Sequence, residues 1–494
     1  MVEHDLYAQR DRRLVMSKVN ITSGYDASSD AASNGCSYLV NWRVDSMGTN
    51  VPRRPLASYA LTGMNSSTTV TGLFVFQGDL IIVGSDRYVY RVQSVAPTVA
   101  NPISVAGAGL EASGRPVFAE DQSDMFIAGG AHLWKYTHGD PTGSSFGDSP
   151  PTPASATHVA WLGQRLIANA RSPIANRGLY YWSDAGDGSD GTWQSSSYAN
   201  AEARPDEILA IYENTQWTWI FGASTLQIFA VGADATNPFD SVTTVNIGIG
   251  AKYSPVRIDS MFAFIDDKGR IVMSDGRSPT VKDISQEIVT DIRAMTTYAD
   301  AWGWRETEQR YDLLCYHFPT AGRTFEYDLN TSKWGERRYY DPSQGLMQAM
   351  PISSYVYWPE MNLHVFGRSD TNSIATISAT ATQELGGELL CQRTVSNVDH
   401  GIADRKSSNG VWAYIRRGTT EDTTPGVIEI RKRDDGRAWS RWVQKSVGRL
   451  GDAAQGSYFP LQGTFRKRDY DIRYAGTNAT SIVAVYDDIT AVGP

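Results

Sequence analysis

Residues 73–92 read LFVFQGDLIIVGSDRYVYRV, in which an apolar segment, a polar turn and two further apolar segments follow one another. The β-branched and aromatic residues of these segments favour strands. The turn Gln77–Asp79 contains a glycine, which adopts the positive φ of a tight reversal without steric cost. The stretch therefore predicts an antiparallel hairpin followed by a third strand.

The same pattern recurs along the chain at intervals of roughly 40–50 residues, which is the length of one four-stranded propeller blade. Further units begin at Pro116, His158, Ile208, Pro255, Ala301 and Ser354. A small antiparallel sheet cannot bury both of its faces alone, whereas radial stacking of such sheets supplies a core. We therefore predict an all-β fold with a six- or seven-unit β-propeller over residues 61–385. The blade count stays open because one unit could be divided between the two ends of the chain or be an insertion.

The pattern changes on either side of this region. Residues 386–494 alternate apolar and charged residues, as in GVIEIRKRD (426–434), and predict a small C-terminal β-sandwich. Residues 1–60 are polar without clear periodicity, and we interpret them as an N-terminal arm. The best helix candidate is Pro279–Met295, where Ile284, Ile288 and Ile292 fall four residues apart.

The composition is that of an ordinary globular protein, with 41% hydrophobic and 20% charged residues. No segment approaches the ~20 apolar residues that a membrane span needs, and the charged first residues lack the apolar region of a signal peptide. The three cysteines Cys36, Cys315 and Cys391 are far apart. We expect buried free thiols rather than disulfides or a zinc site.

Motifs for catalysis or cofactor binding are missing from the sequence. There is no phosphate-binding loop, no close histidine pair and no G-x-S-x-G motif, so neither a cofactor, a metal nor a catalytic residue is predicted. The turn Asp184–Gly191 has glycines where a calcium loop needs oxygen ligands. The turn Asp434–Trp439 resembles a structural Asp-box, in which the aspartate caps backbone amides.

A glycoside hydrolase would need two carboxylates about 5–10 Å apart. Glu306, Glu308, Glu326 and Asp328 are candidates, although their spacing does not distinguish them from surface charges. A carbohydrate-binding or glycoside-hydrolysing propeller used in host recognition therefore stays open as an alternative.

Charge is unevenly distributed. Residues 404–473 contain fifteen Lys and Arg against nine Asp and Glu, although the whole chain has a net charge of −9. The candidate partner contacts are two basic clusters, Arg431, Lys432 and Arg433, and Arg466, Lys467 and Arg468. They could be a solvated strand face or bind DNA or an acidic protein surface.

Residues 204–232 read RPDEILAIYENTQWTWIFGASTLQIFAVG. This stretch resembles the packaged-DNA stabilisation proteins, also called tail hub or nozzle proteins, of short-tailed phages. The matching residues are Pro205, Asp206, Ile208, Phe221, Gly222, Ser224, Thr225 and Phe229. Weaker similarity lies at Asn41 with Arg54–Pro55, where Leu56 replaces the expected glycine, and at Asp435–Trp439 followed by Val447–Leu450.

This resemblance implies a non-enzymatic structural protein of the virion tail, assembled in the host bacterial cytoplasm. It implies a homo-hexameric ring below the portal and the head–tail adaptor protein, with a tail needle or tip below the ring. The ring would retain packaged DNA and conduct it at infection without sequence-specific contacts. An acidic body agrees with this role, because it would repel DNA phosphates and let the duplex slide.

Overall fold

The computed structural model describes residues 15–27, 35–106, 114–129, 132–146, 155–189, 191–201, 206–214, 216–234, 236–278, 280–308, 310–378, 383–416, 426–448, 456–476 and 481–493. Within these residues the chain is almost entirely β, with one α-helix at Val289–Ala294 and 3₁₀ turns at Ile174–Asn176 and Pro359–Met361. The helix occupies only the end of the predicted helical segment. No helix among the described residues is long and apolar enough to cross a membrane.

The chain divides into two compact units that do not follow chain order. The propeller unit contains residues 56–324 and 349–379, and the sandwich unit contains residues 1–55, 325–348 and 380–494. The predicted propeller span was 61–385. The structure thus adds Leu56–Tyr59 to the propeller unit and assigns residues 325–348 to the sandwich unit.

Six four-stranded antiparallel blades form the propeller within the described residues, and the last strands of blades 1 and 2 also pair with each other in parallel. The predicted fold class is therefore confirmed. Blade 1 consists of Val70–Phe76, Asp79–Gly84, Val89–Val92 and Ala100–Ala106, and blade 2 of Val117–Glu120, Asp124–Ala128, Leu133–Thr137 and Thr142–Phe146. Blade 3 consists of Val159–Leu162, Arg165–Asn169, Leu179–Ser183 and Trp193–Asn200, and blade 4 of Ile208–Asn214, Trp217–Gly222, Leu226–Val231 and Phe239–Val245. Blade 5 consists of Val256–Ile258, Met261–Ile265, Ile271–Ser274 and Lys282–Asp283, and blade 6 of Ile352–Trp358, Leu363–Arg368, Ile374–Ile377 and Leu56–Tyr59.

The sixth predicted unit, which begins at Ala301, does not form a four-stranded blade but a hairpin between blades 5 and 6. Its strands are Trp302–Glu308 and Tyr311–Phe318, and we call it the inter-blade hairpin. Trp304 of this hairpin packs against Tyr355 and Phe366 of blade 6, with ring centroids 5.9 Å apart in both pairs. The hairpin therefore continues the series of packed elements from one blade to the next.

Strand pairing across the whole propeller unit closes the ring. Leu56–Tyr59 pairs antiparallel with Ile374–Ile377 and supplies the outer strand of blade 6. A hydrophobic cluster then fills the space between blades 6 and 1, and includes Val70, Leu80, Tyr90, Trp358, Val365 and Ile374. Apolar area removed from water in this way stabilises the ring at its junction.

Similar hydrophobic clusters lie between the other blades. They include Ile81 and Met125 between blades 1 and 2, Phe126 and Leu166 between blades 2 and 3, Ile167 and Ile211 between blades 3 and 4, and Trp219 and Phe262 between blades 4 and 5. A central strand of a blade is covered on both faces, so its sequence is a nearly continuous run of apolar residues. All six residues of Asp79–Gly84 are buried.

The sandwich unit contains two sheets joined by buried polar contacts. The first sheet consists of Trp42–Val44, Asn50–Pro52, Ser481–Gly493, Arg405–Arg416 and Ser457–Phe459, with Val15–Val19 and Gly463–Phe465 paired at its sides. The second contains Lys333–Arg337, Gly35–Val40, Leu390–Val398, Arg468–Ala475, Val427–Asp434 and Val443–Ser446. The remaining strands of this unit are Tyr339–Asp341, Leu346–Gln348, Gln383–Glu384, Gly387–Glu388 and most of Arg323–Asp328.

Part of the predicted N-terminal arm lies in these sheets. Val15–Val19 pairs with Val485–Ile489 near the C-terminus, and Gly35–Val40 pairs with Gln392–Ser396. Residues 1–14 and 28–34 lie outside the described residues. The strand pairs join segments far apart in sequence, so a local hydrophobic pattern does not reveal them.

Candidate functional site

Asp206 holds together the turn that resembles the phage tail family. Its Oδ2 atom accepts hydrogen bonds from the backbone N–H of Ser224 (2.6 Å) and Thr225 (2.9 Å). The same oxygen accepts from the hydroxyls of Ser224 (2.9 Å) and Thr225 (3.2 Å). The Cβ of any larger residue at Gly222 would lie 2.7 Å from this oxygen and would displace the carboxylate from the turn.

The rest of this motif belongs to the blade core. Phe229 is buried between blades 3 and 4, with its ring centroid 5.4 Å from that of Tyr180. Pro205 lies outside the described residues. The motif residues that the structure describes therefore have structural contacts within and around blade 4.

Asn41, the first residue of the weaker N-terminal similarity, is buried in the sandwich unit with φ of 59°. Its amide donates to the carbonyls of Arg338 (2.9 Å) and Leu390 (2.8 Å). Its Oδ1 accepts from Arg53 Nε at 2.9 Å, and Arg53 forms a buried ion pair with Glu384 at 2.9 Å. Asn41 thereby connects three separate segments of the unit.

Several residues of the predicted basic clusters are neutralised by acidic residues on the same strand or on a neighbouring one. Arg431 pairs with Asp471 at 2.7 Å, and Arg433 pairs with Asp469 at 2.6 Å. Both guanidinium groups also lie over the Trp439 ring, at 4.8 and 4.9 Å from its centroid. Lys432 pairs with Asp434.

Arg468 is fully buried between the two sheets. It forms ion pairs with Asp434 at 2.7 Å and with Asp487 at 3.1 Å, so acidic residues of the sandwich unit neutralise its charge. Arg466 and Lys467 are exposed instead, and their backbone N–H groups donate to Asp435 Oδ1 at 2.8 and 2.9 Å. Partner contact by these exposed residues stays a prediction.

Exposed cations gather around Asp435. The pKa of Asp435 is lowered, although partial burial acts to raise it. The causes are the backbone hydrogen bonds from Lys467 and Arg466 and the charges of Arg437 and Arg405. We call the exposed residues Arg405, Arg437, Arg466 and Lys467 the basic tip. The turn at Asp435 thus caps backbone amides, as expected of an Asp-box.

A cavity in the propeller unit lies where the first strands of the blades begin. This axial cavity has a volume of about 810 Å³. Its wall includes Thr69 and Thr71 of blade 1, Arg115 before blade 2, Lys252 before blade 5, Asp300 and Trp302 at the inter-blade hairpin, and Ser353 of blade 6. A smaller cavity of about 220 Å³ lies beyond Arg115 and is lined by Phe74, Phe118, Tyr212 and Tyr355 among others.

Arg115 lines both cavities. Its guanidinium carbon lies 4.2 Å from the centroid of the Trp302 ring, and its Nη1 donates to the Ser353 carbonyl. The side chain therefore connects blade 2 with the inter-blade hairpin and blade 6 across the axis. Burial lowers the pKa of Arg115 to about 10, so the group remains a cation at neutral pH.

Two buried histidines flank the cavity. Burial and the charge of Lys252 lower the pKa of His158 to about 3, and its Nε2 donates to the Lys252 carbonyl at 3.2 Å. Burial and the charge of Arg115 lower the pKa of His317 to about 3, while Asp300 acts in the opposite direction. Both rings are therefore neutral at pH 7.

The carboxylates considered for glycoside hydrolysis do not line the axial cavity. Glu306 is buried and accepts from Trp304 Nε1 at 3.3 Å. Glu326 belongs to the sandwich unit, where Arg43 (3.1 Å) and Arg337 (2.6 Å) pair with it. Asp328 accepts from the Thr331 hydroxyl at 2.8 Å, and Glu308 is a half-buried strand residue.

Within the described ranges, no three His, Cys, Asp or Glu side chains are placed to hold a metal ion. The three cysteines are buried and free, as predicted. Burial raises the pKa of the Cys36 and Cys391 thiols, which therefore stay protonated. Sequence reasoning missed Arg115, Asp300 and the two histidines, because nothing in the local pattern distinguishes them from surface residues.

The geometry described so far defines a structural β-propeller joined to a β-sandwich. A family model described as "Bacteriophage P22 Gp10, beta-propeller" matches residues 84–381, which is more than half of the chain. The chain belongs to this family and is a phage structural protein of the virion. Comparison with the curated proteins gave no match.

Three solved structures are among those to which the chain is similar. The computationally designed Ika8 protein is 11% identical, with a TM-score of 0.39 over 73% of this chain and 100% of that chain. The extracellular domain of the hybrid two component system BT4673 from B. thetaiotaomicron is 10% identical, with a TM-score of 0.43 over 82% of this chain and 47% of that chain. An exo-beta-1,3-galactanase from Phanerochaete chrysosporium is 11% identical, with a TM-score of 0.30 over 75% of this chain and 95% of that chain. At these TM-scores the likenesses carry no argument.

Replacing Asp206 tests the role of the family motif. Asp206→Ala removes four hydrogen bonds to one carboxylate oxygen. We expect it to lower the free energy of unfolding by about 2–3 kcal/mol, because hydrogen bonds to charged groups are among the stronger ones. Urea unfolding followed by tryptophan fluorescence measures this change.

The matched control is Asp234→Ala, since exposed Asp234 accepts from the backbone N–H of Thr236 at 2.8 Å. Its expected effect is below about 1 kcal/mol. Equal losses in the two variants would contradict the role assigned to Asp206.

The two neutral histidines predict a loss of stability in acid. Between pH 6.5 and 3 the unfolded chain binds protons at His158 and His317 that the folded chain does not, because burial lowers both pKa values to about 3. The free energy of unfolding therefore falls as the pH falls through this range. In His158→Gln the decrease between pH 7 and 4.5 should be smaller than in the native chain by up to about 2–3 kcal/mol.

Urea unfolding at the two pH values measures this difference, and circular dichroism at pH 7 checks the fold of the variant. His317→Gln should behave in the same way. Native and variant chains losing the same stability would show that the buried rings do not cause the acid sensitivity.

Proposed function

We propose that this protein is the tail hub, or nozzle, subunit of a short-tailed phage. Copies of the chain form a homo-hexameric ring below the portal and the head–tail adaptor protein, which retains packaged DNA and conducts it at infection. The observation that carries the proposal is the family match over residues 84–381. The similarity of the Asp206–Phe229 motif to nozzle proteins supports it.

The axial geometry supports a DNA passage formed between subunits rather than through one propeller. Arg115 contacts the Trp302 ring and the Ser353 carbonyl across the axis. We infer from these contacts that a duplex does not pass through one propeller. A channel formed by several copies leaves the axis of each propeller closed, and cyclic rings arise when head-to-tail interfaces close on themselves.

The chemistry of the axial cavity supports a non-enzymatic role. Asp300 is the one acidic side chain among the described residues that line it. Glycoside hydrolysis uses a pair of carboxylates on either side of the scissile bond. The carboxylates that the sequence offered, such as Glu326, are engaged elsewhere in structural contacts.

The basic tip is the part of the sandwich unit that fits an acidic partner surface. Its exposed cations differ from the paired residues Arg431 and Arg433 on the neighbouring strand. Complementary charge accelerates docking and sets its orientation. We place the adaptor protein or a neighbouring subunit against this tip, a tail needle or tip protein below the ring, and DNA in the channel without base-specific contacts.

Removing the protein from assembling particles tests the proposal. Heads assembled without this chain should package DNA and then lose it, because the ring that closes the exit is missing. The fraction of the genome accessible to added nuclease measures the loss, and expression of the native chain in trans should restore protection. Mass photometry of the chain with and without adaptor should show a ring in the complex.

Two results would contradict the proposal. The first is that particles lacking the chain keep their DNA as well as native particles do. The second is that the chain stays monomeric with adaptor and releases sugar from surface polysaccharide. The second result would favour the carbohydrate-active alternative.

Charge reversal at the basic tip tests the partner surface. The double variant Arg466→Glu and Lys467→Glu should reduce incorporation of the chain into particles by about tenfold or more, because like charges would then face each other. Quantitative immunoblotting of purified particles measures incorporation. The control, Arg441→Glu with Lys445→Glu, changes two exposed cations outside the tip and should be incorporated normally. Equal incorporation of both variants would remove the tip from the interface.

A further inference from the structure

The wall of the axial cavity contains a half-buried cation, Arg115, whose charge the described residues do not neutralise. Arg115 makes one hydrogen bond, to the Ser353 carbonyl, and one ring contact, with Trp302. Among the described residues, the structure places no carboxylate in an ion pair with it. Burying a charge without a counter-ion is costly, so a site that keeps such a charge is suited to an anion.

The shape of the guanidinium group limits which anion fits. Arginine has five N–H donors in a planar fork, and most of those of Arg115 have no acceptor among the described residues. This fork matches the two oxygens of a carboxylate. Lys252 also lines the cavity and adds positive potential.

Hydrogen-bonding atoms elsewhere in the same wall point to a second feature of the ligand. Asp300 Oδ2 accepts from the backbone N–H of Thr320 at 2.8 Å, whereas Asp300 Oδ1 is buried without a hydrogen bond to the protein. The hydroxyl of Ser353 is also buried without one. Such atoms are normally satisfied by water or a ligand, and Asp300 requires a donor such as a hydroxyl group.

Both ends of this polar wall lie near His317. The charge of Arg115 lowers the pKa of His317 and the charge of Asp300 raises it, so each acts on the same ring. The His317 ring is hydrogen-bonded to the Thr324 hydroxyl at 2.8 Å, which fixes its position. An anion-binding group and a hydroxyl-binding group are therefore presented together in one cavity.

We propose that the axial cavity binds a small hydroxylated carboxylate, the chemical class that includes the uronic acids. Arg115 binds the carboxylate, while Asp300 and Ser353 bind hydroxyl groups of the same ligand. The volume of about 810 Å³ lies within the range of small-ligand sites and exceeds that of one sugar ring. The proposal concerns one propeller unit and is independent of the tail function.

The same groups disfavour two simpler ligands. A neutral sugar would leave Arg115 without a counter-ion. Inorganic phosphate would satisfy Arg115 but would bring a second anion towards Asp300, which repels it. A ligand with its charge at one end and hydroxyls at the other satisfies both residues.

Calorimetric titration of the purified full chain with glucuronate, glucose and inorganic phosphate tests the proposal. Glucuronate should bind more tightly than the other two probes. Arg115→Met should weaken glucuronate binding by about 10- to 100-fold, which is the effect of losing a charge-assisted contact. Arg277→Met is the matched control, because Arg277 also lies over a tryptophan ring, 5.4 Å from the centroid of Trp217, but outside the cavity.

Asp300→Asn gives a second test that does not depend on the fold of the Arg115 variant. It removes the negative charge that opposes phosphate, so phosphate should bind this variant more tightly than the native chain. Thermal unfolding checks each variant. The proposal is overturned if glucuronate shows no binding at millimolar concentration, if glucose or phosphate binds the native chain equally well, or if a folded Arg115→Met variant binds like the control.

Discussion

Leu56–Tyr59 pairs with Ile374–Ile377, and the contacts of the propeller unit depend on this pairing. It brings blade 6 against blade 1, so that the cluster containing Val70, Trp358 and Ile374 is closed to water. Without it, each of these blades would present an apolar face and an unpaired strand edge to solvent. Closure also holds the inner strands around the axis, where Arg115 reaches Ser353 from a different blade.

Charged residues in both units mostly satisfy one another rather than forming open binding surfaces. In the sandwich unit, Arg468 is buried with Asp487, and Arg53 is buried with Glu384. Such buried pairs contribute little net stability but make the loss of one partner costly, so they favour a single arrangement of the sheets. A unit fixed in this way suits a part of a large assembly, where its shape and its few exposed charges select the partners.

The sequence reveals the parts of this structure that depend on local pattern. Each hairpin unit contains its own turn and apolar strands, so the repeat predicts the blades directly, and the Asp206 turn was recognisable from residues close in the chain. The pairing of Val15–Val19 with Val485–Ile489 and the placement of Arg115 against Trp302 depend on distant segments, and no local pattern encodes them. The sequence overestimates the length of the helix, which spans only Val289–Ala294, because Ile284 and Ile288 are buried without being helical.

The strand pairs that complete both units join segments made early and late in translation. Tyr59 and Ile374 are more than 300 residues apart, which corresponds to roughly 15–60 s of synthesis at about 5–20 residues per second. The nascent chain therefore carries an open ring with two unprotected edges for most of its time on the ribosome. Val15–Val19 stays unpaired for even longer, because its partner Val485–Ile489 is synthesised almost last. The yield of assembly-competent subunits in an infected cell would then depend on how well chaperones protect these early strands.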